Sequence, residues 1–310
     1  MKMIGAHPKR LSAVLALFCF PSLLAAATDY QGSFVRKFQI YGPAQLEIET
    51  GSWDVTVHSG AAGVVTVSGK IHVANRWLMG DRTAKVRELE SNPPVRQLGN
   101  TVHLDHAHLN NIWVDYDVTV PADTRVRSRT NSGDVKIRDL TSDLDLESGS
   151  GDLWLENITG RIGTRSHSGD VRARAISGSF SAEASSGDIR LEERGKGDVD
   201  IRTTSGDVEA TGIDGALHVE AGSGNITAAG TPTRSWEARA GSGNIHLNIP
   251  QDAAFQLDAA TNSGELSVRQ AVTITVQGNL DAARHAIKGT VGGGGPLVTL
   301  HTSSGDIEIN

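Results

Sequence analysis

Five aspartates recur at a regular interval and are the first candidates for chemistry, as ligands of a divalent cation. Each follows a glycine, at successive intervals of 18, 18, 18 and 19 residues: Asp134, Asp152, Asp170, Asp188 and Asp207. Calcium prefers oxygen ligands such as these carboxylates. However, the calcium-binding repeat Gly-Gly-x-Gly-x-Asp is absent, and the next two members of the series are the neutral residues Asn225 and Asn244. We therefore predict structural turns, with calcium binding as the alternative.

The glycine before each aspartate is expected to make such a turn possible. The glycines concerned are Gly133, Gly151, Gly169, Gly187 and Gly206. Glycine adopts the positive φ of a tight turn without strain, and an adjacent Asp or Asn commonly bonds the turn backbone. The serine before each glycine is predicted to point inward and to bond the next repeat.

A second candidate site is a group of histidines that could bind zinc or copper. His103, Asp105, His106 and His108 are close in sequence, and His106 and His108 would share one face of a strand. A metal site needs a third ligand that is held rigidly, whereas Asn110–Asn111 indicates a loop. We predict a solvated hairpin without metal or cofactor. Serines beside glycine reflect the repeat, and no Gly-x-Ser-x-Gly elbow indicates a catalytic serine.

The candidate ligand-binding site is a row of basic residues that contains one aromatic residue. Lys136, Trp154, Arg172 and Arg190 each lie two positions after the aspartate of their repeat. Aromatic rings stack on sugars and on cations, and arginine pairs with carboxylates. This pattern is typical of proteins that bind acidic polysaccharides. The alternative is an ordinary solvated face of the repeat, and Glu209 interrupts the row.

The elements that position these residues follow from the repeat itself. Nine Ser-Gly-Asp triplets or near variants are spaced by 18 to 21 residues, with one gap of 41 residues before the last triplet. A fixed period near 20 residues indicates a solenoid. Apolar residues alternate after each triplet, as at Val135 and Ile137, and again after a second turn, as at Leu144 and Leu146. We predict an all-β, β-helix-like solenoid with two strands in each coil of about 18 residues.

Charged residues support one particular alignment of these coils. The residues four positions before the glycines alternate in sign: Arg129, Glu147, Arg165, Glu183, Arg202, Glu220 and Arg239. A second row alternates in the same way: Arg138, Glu156, Arg174 and Glu192. Opposite charges on neighbouring strands stabilise a sheet, so both rows should form outward columns. One inward column is predicted to contain Leu144, Ile162, Phe180, Val199, Leu217 and Trp236.

The chain is predicted to divide into three parts. Residues 1–27 resemble a signal peptide, because three basic residues precede the apolar run Leu11–Leu24 and three alanines follow. Residues 28–122 are predicted to be a β-rich cap with a short helix at about 81–92. Residues 123–310 form the repeat domain, with Leu297–Asn310 as its closing rung. Export to the periplasm, the cell surface or the medium is expected.

Composition restricts the partners. The net charge of −7 argues against a nucleic-acid partner, because no basic field exists to gather phosphates. No apolar stretch after the N-terminal one approaches the length of a membrane span. The only cysteine, Cys19, lies in the predicted signal peptide, so no disulfide is expected.

Three short segments accompany the Ser-Gly-Asp rungs: Arg87–Val95 (RELESNPPV), Gly99–Val102 (GNTV) and Val120–Thr124 (VPADT). Together with the predicted signal peptide, these features resemble the bacterial "putative adhesin" family of β-strand-repeat proteins, most of whose members have no assigned function. The resemblance covers most of the chain after the signal peptide and implies an exported β-solenoid. It supplies no catalytic residues.

The sequence therefore predicts an exported, non-enzymatic β-solenoid that acts as a structural or adhesin-like protein of the cell envelope or surface. Its expected partners are cell-surface polysaccharide or envelope proteins. The alternative is a β-helix protein that binds or processes an acidic polysaccharide. An enzyme of that kind should show a cleft with convergent carboxylates, or an Arg-Lys pair beside a metal.

Overall fold

The chain folds into two long, facing β-sheets. The structure is a computed structural model that describes residues 30–73, 82–105, 111–274 and 285–310. Within these residues it contains 27 strands and one helix. The first sheet has 13 strands and the second has 14, and the chain passes repeatedly from one to the other.

The strands and the helix are as follows, in chain order. The N-terminal segment contains β1 (Tyr30–Gln39), β2 (Gln45–Thr50), β3 (Val55–Ser59), β4 (Val64–Val73), α1 (Arg82–Ser91), β5 (Val95–Leu98), β6 (Thr101–Leu104) and β7 (Ile112–Val120). The regular coils contain β8 (Arg125–Thr130), β9 (Val135–Leu140), β10 (Leu144–Ser148), β11 (Leu153–Thr159), β12 (Ile162–Ser166), β13 (Val171–Ser177), β14 (Phe180–Ser186), β15 (Ile189–Glu193), β16 (Val199–Ser205), β17 (Val208–Ile213), β18 (Leu217–Ser223), β19 (Ile226–Gly230), β20 (Trp236–Ser242) and β21 (Ile245–Asn248). The C-terminal segment contains β22 (Phe255–Ser263), β23 (Leu266–Val268), β24 (Val272–Ile274), β25 (Ala286–Val291), β26 (Leu297–Ser304) and β27 (Ile307–Ile309).

Each regular coil contributes one strand to each sheet, and like positions of successive coils pair in parallel. Leu144 of β10, for example, is the register partner of Val126 in β8 and of Ile162 in β12. Neighbouring strands in a sheet lie about 4.8 Å apart. The predicted β-solenoid with two strands per coil is therefore confirmed. Its first coil is β2 and β3, which pair with β8 and β9.

The core lies between the two sheets and is built from inward columns of like residues. The predicted column is confirmed, and each of its members is at most 3% exposed: Leu144, Ile162, Phe180, Val199, Leu217 and Trp236. The column continues to Val298, the register partner of Trp236. The indole N–H of Trp236 donates a hydrogen bond of 3.0 Å to the carbonyl oxygen of Gly215. That bond satisfies the only polar atom of a side chain that is 1% exposed.

The two predicted columns of alternating charge lie on the outside of the sheets. Arg129 and Glu147 are register partners, and their side chains approach to 3.1 Å. Glu183 lies 3.6 Å from Arg165 and pairs in register with Arg202 on its other side. Because these side chains are about half exposed or more, each pair contributes less than about 1 kcal/mol. Their main consequence is that a shifted register would bring like charges together.

The helix lies over the N-terminal end of the solenoid, close to the predicted position. Val86 and Leu89 of α1 are buried, and the carboxylate of Glu90 accepts a hydrogen bond from the backbone N–H of Ser33 in β1. The guanidinium of Arg36 donates to the carbonyl oxygens of Glu90 and Ser91. The helix ends at Ser91, two residues before Pro93, and neither Pro93 nor Pro94 can continue it. The division into domains at residue 122 stays a prediction.

The C-terminal end differs from the predicted order of coils. Leu297–Asn310 does not close the solenoid, because its strand β27 lies between β21 and β23: Ile307 pairs with both Ile245 and Leu266. In the same way β26 lies between β20 and β22. The outermost coil is therefore β22 and β23, and the antiparallel strands β25 and β24 extend the second sheet beyond β22. The sequence of residues 281–288 would allow a helical turn, but Ala286 begins strand β25; residues 281–284 lie outside the described residues.

Candidate functional site

The glycines of the Ser-Gly-Asp triplets lie where one coil touches the next. A Cβ added to Gly151 would lie 2.1 Å from the carbonyl oxygen of Gly133, and one added to Gly169 would meet Gly151 at the same distance. The predicted reason was only partly correct. Gly187 has a φ of 132° and Gly206 has one of 141°, whereas the other three predicted turn glycines do not have a positive φ. Close backbone contact is the requirement that all five share.

The aspartates that follow these glycines form a continuous ladder of hydrogen bonds. The backbone N–H of Asp152 donates to Oδ1 of Asp134 at 3.0 Å, and Asp170, Asp188 and Asp207 repeat this contact at 2.9, 2.9 and 3.0 Å. The expected partner was the turn backbone of the same coil, but the donor lies in the next coil. The ladder begins at Asp54, outside the predicted set, and runs on through the two asparagines.

The triplet serines do not point inward as predicted. Ser150 and Ser168 are exposed. The inward hydroxyls lie two positions earlier, at Ser148 and Ser166, and they donate hydrogen bonds of 2.6 and 2.7 Å to the carbonyl oxygens of Gly151 and Gly169. A strand that enters the corner alternates its side chains, so the inward position precedes the triplet.

The residues considered above as possible metal ligands bind other protein groups in this structure. Oδ2 of Asp170 accepts a hydrogen bond of 2.6 Å from Arg172, which also donates to Oδ2 of Asp152 at 3.0 Å. A guanidinium thus lies where a calcium ion would have to bind these two carboxylates. His103 lies 3.1 Å from Glu47. His106 and His108 lie outside the described residues, and within the described ones no three such groups converge as metal ligands would. Asp105 is ion-paired with Arg96 at 2.7 Å.

The four residues of the candidate binding row lie side by side on the first sheet. Trp154 is the register partner of Lys136 on one side and of Arg172 on the other, and Arg172 is the partner of Arg190. Strands β9, β11, β13 and β15 hold them because each residue follows an inward apolar residue by one position. Trp154 is 44% exposed, which is unusual for so large an apolar side chain.

The row borders a groove of about 610 Å³ that runs across the coils of the first sheet. Its other side is the second charged row, which the sequence predicted only as a structural column: Arg138, Glu156, Arg174 and Glu192. The two rows are two residues apart on each strand, so the strand backbone forms the floor. Strict alternation, the signal that identified both rows, also implies that they are neighbours. We call this feature the first-sheet groove.

The basic residues of the first-sheet groove differ in their partners. Arg172 is bound to two aspartates, as described above, and its guanidinium lies 4.6 Å from the centre of the Trp154 ring. Arg190 lies 2.9 Å from Asp188 and 3.8 Å from Glu209. Lys136 and Arg138 are exposed. In the part of the chain that the structure describes, neither has a hydrogen bond or an ion pair.

One buried acid, Glu193, was not predicted from the sequence. Glu193 is 5% exposed, and neither of its carboxylate oxygens has a hydrogen-bond partner among the described residues. Burial, with smaller contributions from Asp198 and Asp214, raises its pKa to about 7. Its register partner in the previous coil is Ile176, so the carboxylate occupies an apolar column. It faces the core and not the groove.

These features define a parallel β-solenoid with ladder-bonded corners and grooves on the outer faces of both sheets. No helix in the described part of the chain has the length and apolar character that a bilayer span requires. The family described as Toastrack DUF4097 matches residues 44–310, and the chain belongs to this family. The predicted resemblance to an adhesin-like family is thereby confirmed.

Solved bacterial structures resemble the chain only remotely. A "putative adhesin" from Bacteroides fragilis is 13% identical, with 91% of this chain and 99% of that chain covered and a TM-score of 0.42. A "putative lipid binding protein" from Parabacteroides distasonis is 12% identical, with 90% and 97% covered and a TM-score of 0.44. Curated proteins give no match. At these levels of similarity the names of the relatives carry no argument about a ligand of this chain.

Proposed function

We propose that the protein is an exported, non-enzymatic, adhesin-like β-solenoid that binds an acidic polysaccharide of the cell envelope or surface in the first-sheet groove. The N-terminal segment of residues 1–27 supports export, because it has the basic, apolar and small-residue regions of a signal peptide. The adhesin-like family supports a role in surface attachment.

The observation that carries the proposal is an exposed tryptophan at the side of a groove lined by five cations. Trp154 offers a flat apolar surface of the kind that stacks on a sugar ring. The cations are Lys136, Arg138, Arg172, Arg174 and Arg190. Three glutamates also line the groove and reduce its positive charge, so binding should depend on particular contacts and less on the overall field.

The proposal is tested by presenting the mature protein to a glycan array that contains both uronate-rich and neutral polysaccharides. We expect retention of acidic glycans that weakens with added salt and that falls when Trp154 is replaced by Ala. The matched control is Arg165→Ala, which removes an exposed cation from the second sheet. Equal binding of neutral and acidic glycans, or no binding of either, would contradict the proposal. An assay for released reducing sugar or unsaturated product tests the enzymatic alternative.

A further inference from the structure

The cations of the first-sheet groove are not equivalent, and the difference indicates where an anionic ligand enters. Arg172 and Arg190 already have carboxylate partners within 3.0 Å. Those partners already compensate much of their positive charge, so the two arginines attract a ligand carboxylate less strongly. Lys136 and Arg138 have no such partner among the described residues, so their charges are open to a ligand.

The two open cations are suitably placed to hold one carboxylate. Both lie on β9, separated by the inward residue Ile137. Residues two apart on a strand are separated by about 6.6 Å, and both side chains point to the same face and line the groove. The neighbouring strand β3 adds no competing acid beside these two cations. Thr56 is the register partner of Lys136, and His58, the register partner of Arg138, contacts Asp117.

The exposed indole lies beside this pair. Arg172 comes from the following coil and covers one face of the Trp154 ring. The opposite face is therefore directed toward the preceding coil, which contains Lys136 and Arg138. Glu156, the register partner of Arg138, also has no partner among the described residues. Its carboxylate can accept a hydrogen bond from a sugar hydroxyl.

We propose that Lys136, Arg138 and Trp154 form a subsite for one hexuronate residue. The uronate carboxylate lies between the ammonium of Lys136 and the guanidinium of Arg138. The guanidinium can bind this carboxylate through two parallel hydrogen bonds. The sugar ring packs against the free face of the indole. Arg172 and Arg190 support the groove and do not contact the ligand. This inference rests on the proposed function and adds to it the sugar class and the contact residues.

The test uses isothermal titration of polygalacturonate into the full mature chain. We expect Lys136→Ala and Arg138→Ala each to weaken binding about tenfold, the loss of one charge-assisted hydrogen bond. The matched control is Arg190→Ala, in the same row but already paired, for which less than a twofold change is expected. All three variants should melt like the parent, since these side chains are exposed. When the carboxyl groups of polygalacturonate are reduced to alcohols, the parent and Lys136→Ala should bind it with the same affinity.

The outcomes separate this inference from the proposed function. If polygalacturonate binds but Arg190→Ala weakens it as much as Lys136→Ala does, the subsite is wrongly placed and the proposed function stands. If carboxyl reduction leaves the affinity unchanged, both proposals are wrong, because an acidic group is then not what is recognised. If no acidic polysaccharide binds, both proposals are wrong.

Discussion

The stability of the solenoid should decrease as the pH rises toward neutrality, because folding buries Glu193. This carboxyl group is 5% exposed, and its two oxygens have no hydrogen-bond partner among the described residues. In the earlier coils the same column contains Ile176, Ile158 and Leu140. Burial is the main reason that its pKa rises to about 7 from an ordinary value of 4.5, and the neighbouring Asp198 and Asp214 add to it.

The size and sign of the effect follow from the two pKa values. The folded protein holds the Glu193 proton more tightly than the unfolded chain does. The stabilisation is therefore complete below pH 4.5 and is lost as the pH rises to about 7. A pKa difference of this size corresponds to roughly 3 kcal/mol in the free energy of unfolding. For a domain of marginal stability, that is a large fraction of the total.

The assay is urea denaturation of the parent and of Glu193→Gln at a series of pH values from 4 to 9. Other groups titrate in both proteins, so the difference between the two free energies of unfolding isolates Glu193. We expect this difference to move by roughly 3 kcal/mol in favour of the variant between pH 4.5 and 7. Glu192→Gln is the control, because its side chain is 54% exposed and forms only a surface ion pair.

A difference that does not depend on pH would refute this reasoning. It would mean that Glu193 titrates normally in the folded state, through solvent or through a partner that the described contacts do not include. A difference in the free energies of unfolding that changes only below pH 4.5 would also refute the reasoning, because the pKa of Glu193 in the folded protein would then be lowered and not raised. Glu193→Ile extends the test, since it restores the residue type of the earlier coils and should be more stable than the parent at pH 8.

Three further predictions concern the core, the charge columns and the ladder. Phe180→Ala should lower the free energy of unfolding by about 3–5 kcal/mol in urea denaturation, because the ring is 1% exposed and leaves a cavity; a loss below 1 kcal/mol would contradict the packed column. Glu183→Arg should cost less than about 1 kcal/mol, and the loss should shrink with added salt, because it places three cations in line on an exposed face; a large, salt-independent loss would argue against that exposure. Millimolar calcium should leave the melting temperature unchanged, since Arg172 and backbone N–H groups bind the aspartates; a rise of many degrees that a chelator reverses would overturn this assignment.

The regular part of the fold could be predicted from sequence because every coil repeats the same environments. The alternation at Val135 and Ile137 gives the strands, and the sign change from Glu147 to Arg165 gives the register. No local signal shows that Ile307 lies between Ile245 and Leu266. The position of a strand from a distant part of the chain depends on which strand edge of the sheet is free to pair with it. Because every coil presents the same repeat pattern at its edge, the sequence does not show which edge that is.

The candidate site was predictable in its members but not in its chemistry. Alternation places Lys136 and Arg172 in one row, and the structure has them there. A cation of this row is open to a ligand only where no aspartate already binds it, and Arg172 is bound by Oδ2 of Asp152 and of Asp170. Side-chain rotamers determine these contacts, and the sequence does not show them. Alternation places Glu193 on the inward side with Ile189 and Leu191, but a charged side chain at an inward position is against the usual rule, so the sequence alone did not identify it as buried.

The insertion of the last strands inside the stack has a consequence for how this protein is made and how it can evolve. Strands β26 and β27 contain the final residues of the chain, and each has neighbours on both sides. Synthesis produces β26 and β27 after β22 and β23, so the outer coil of β22 and β23 cannot dock in its final place before these later strands are made. A further coil inserted directly after β27 would find no free strand edge beside β26 or β27, because both already have a partner on each side.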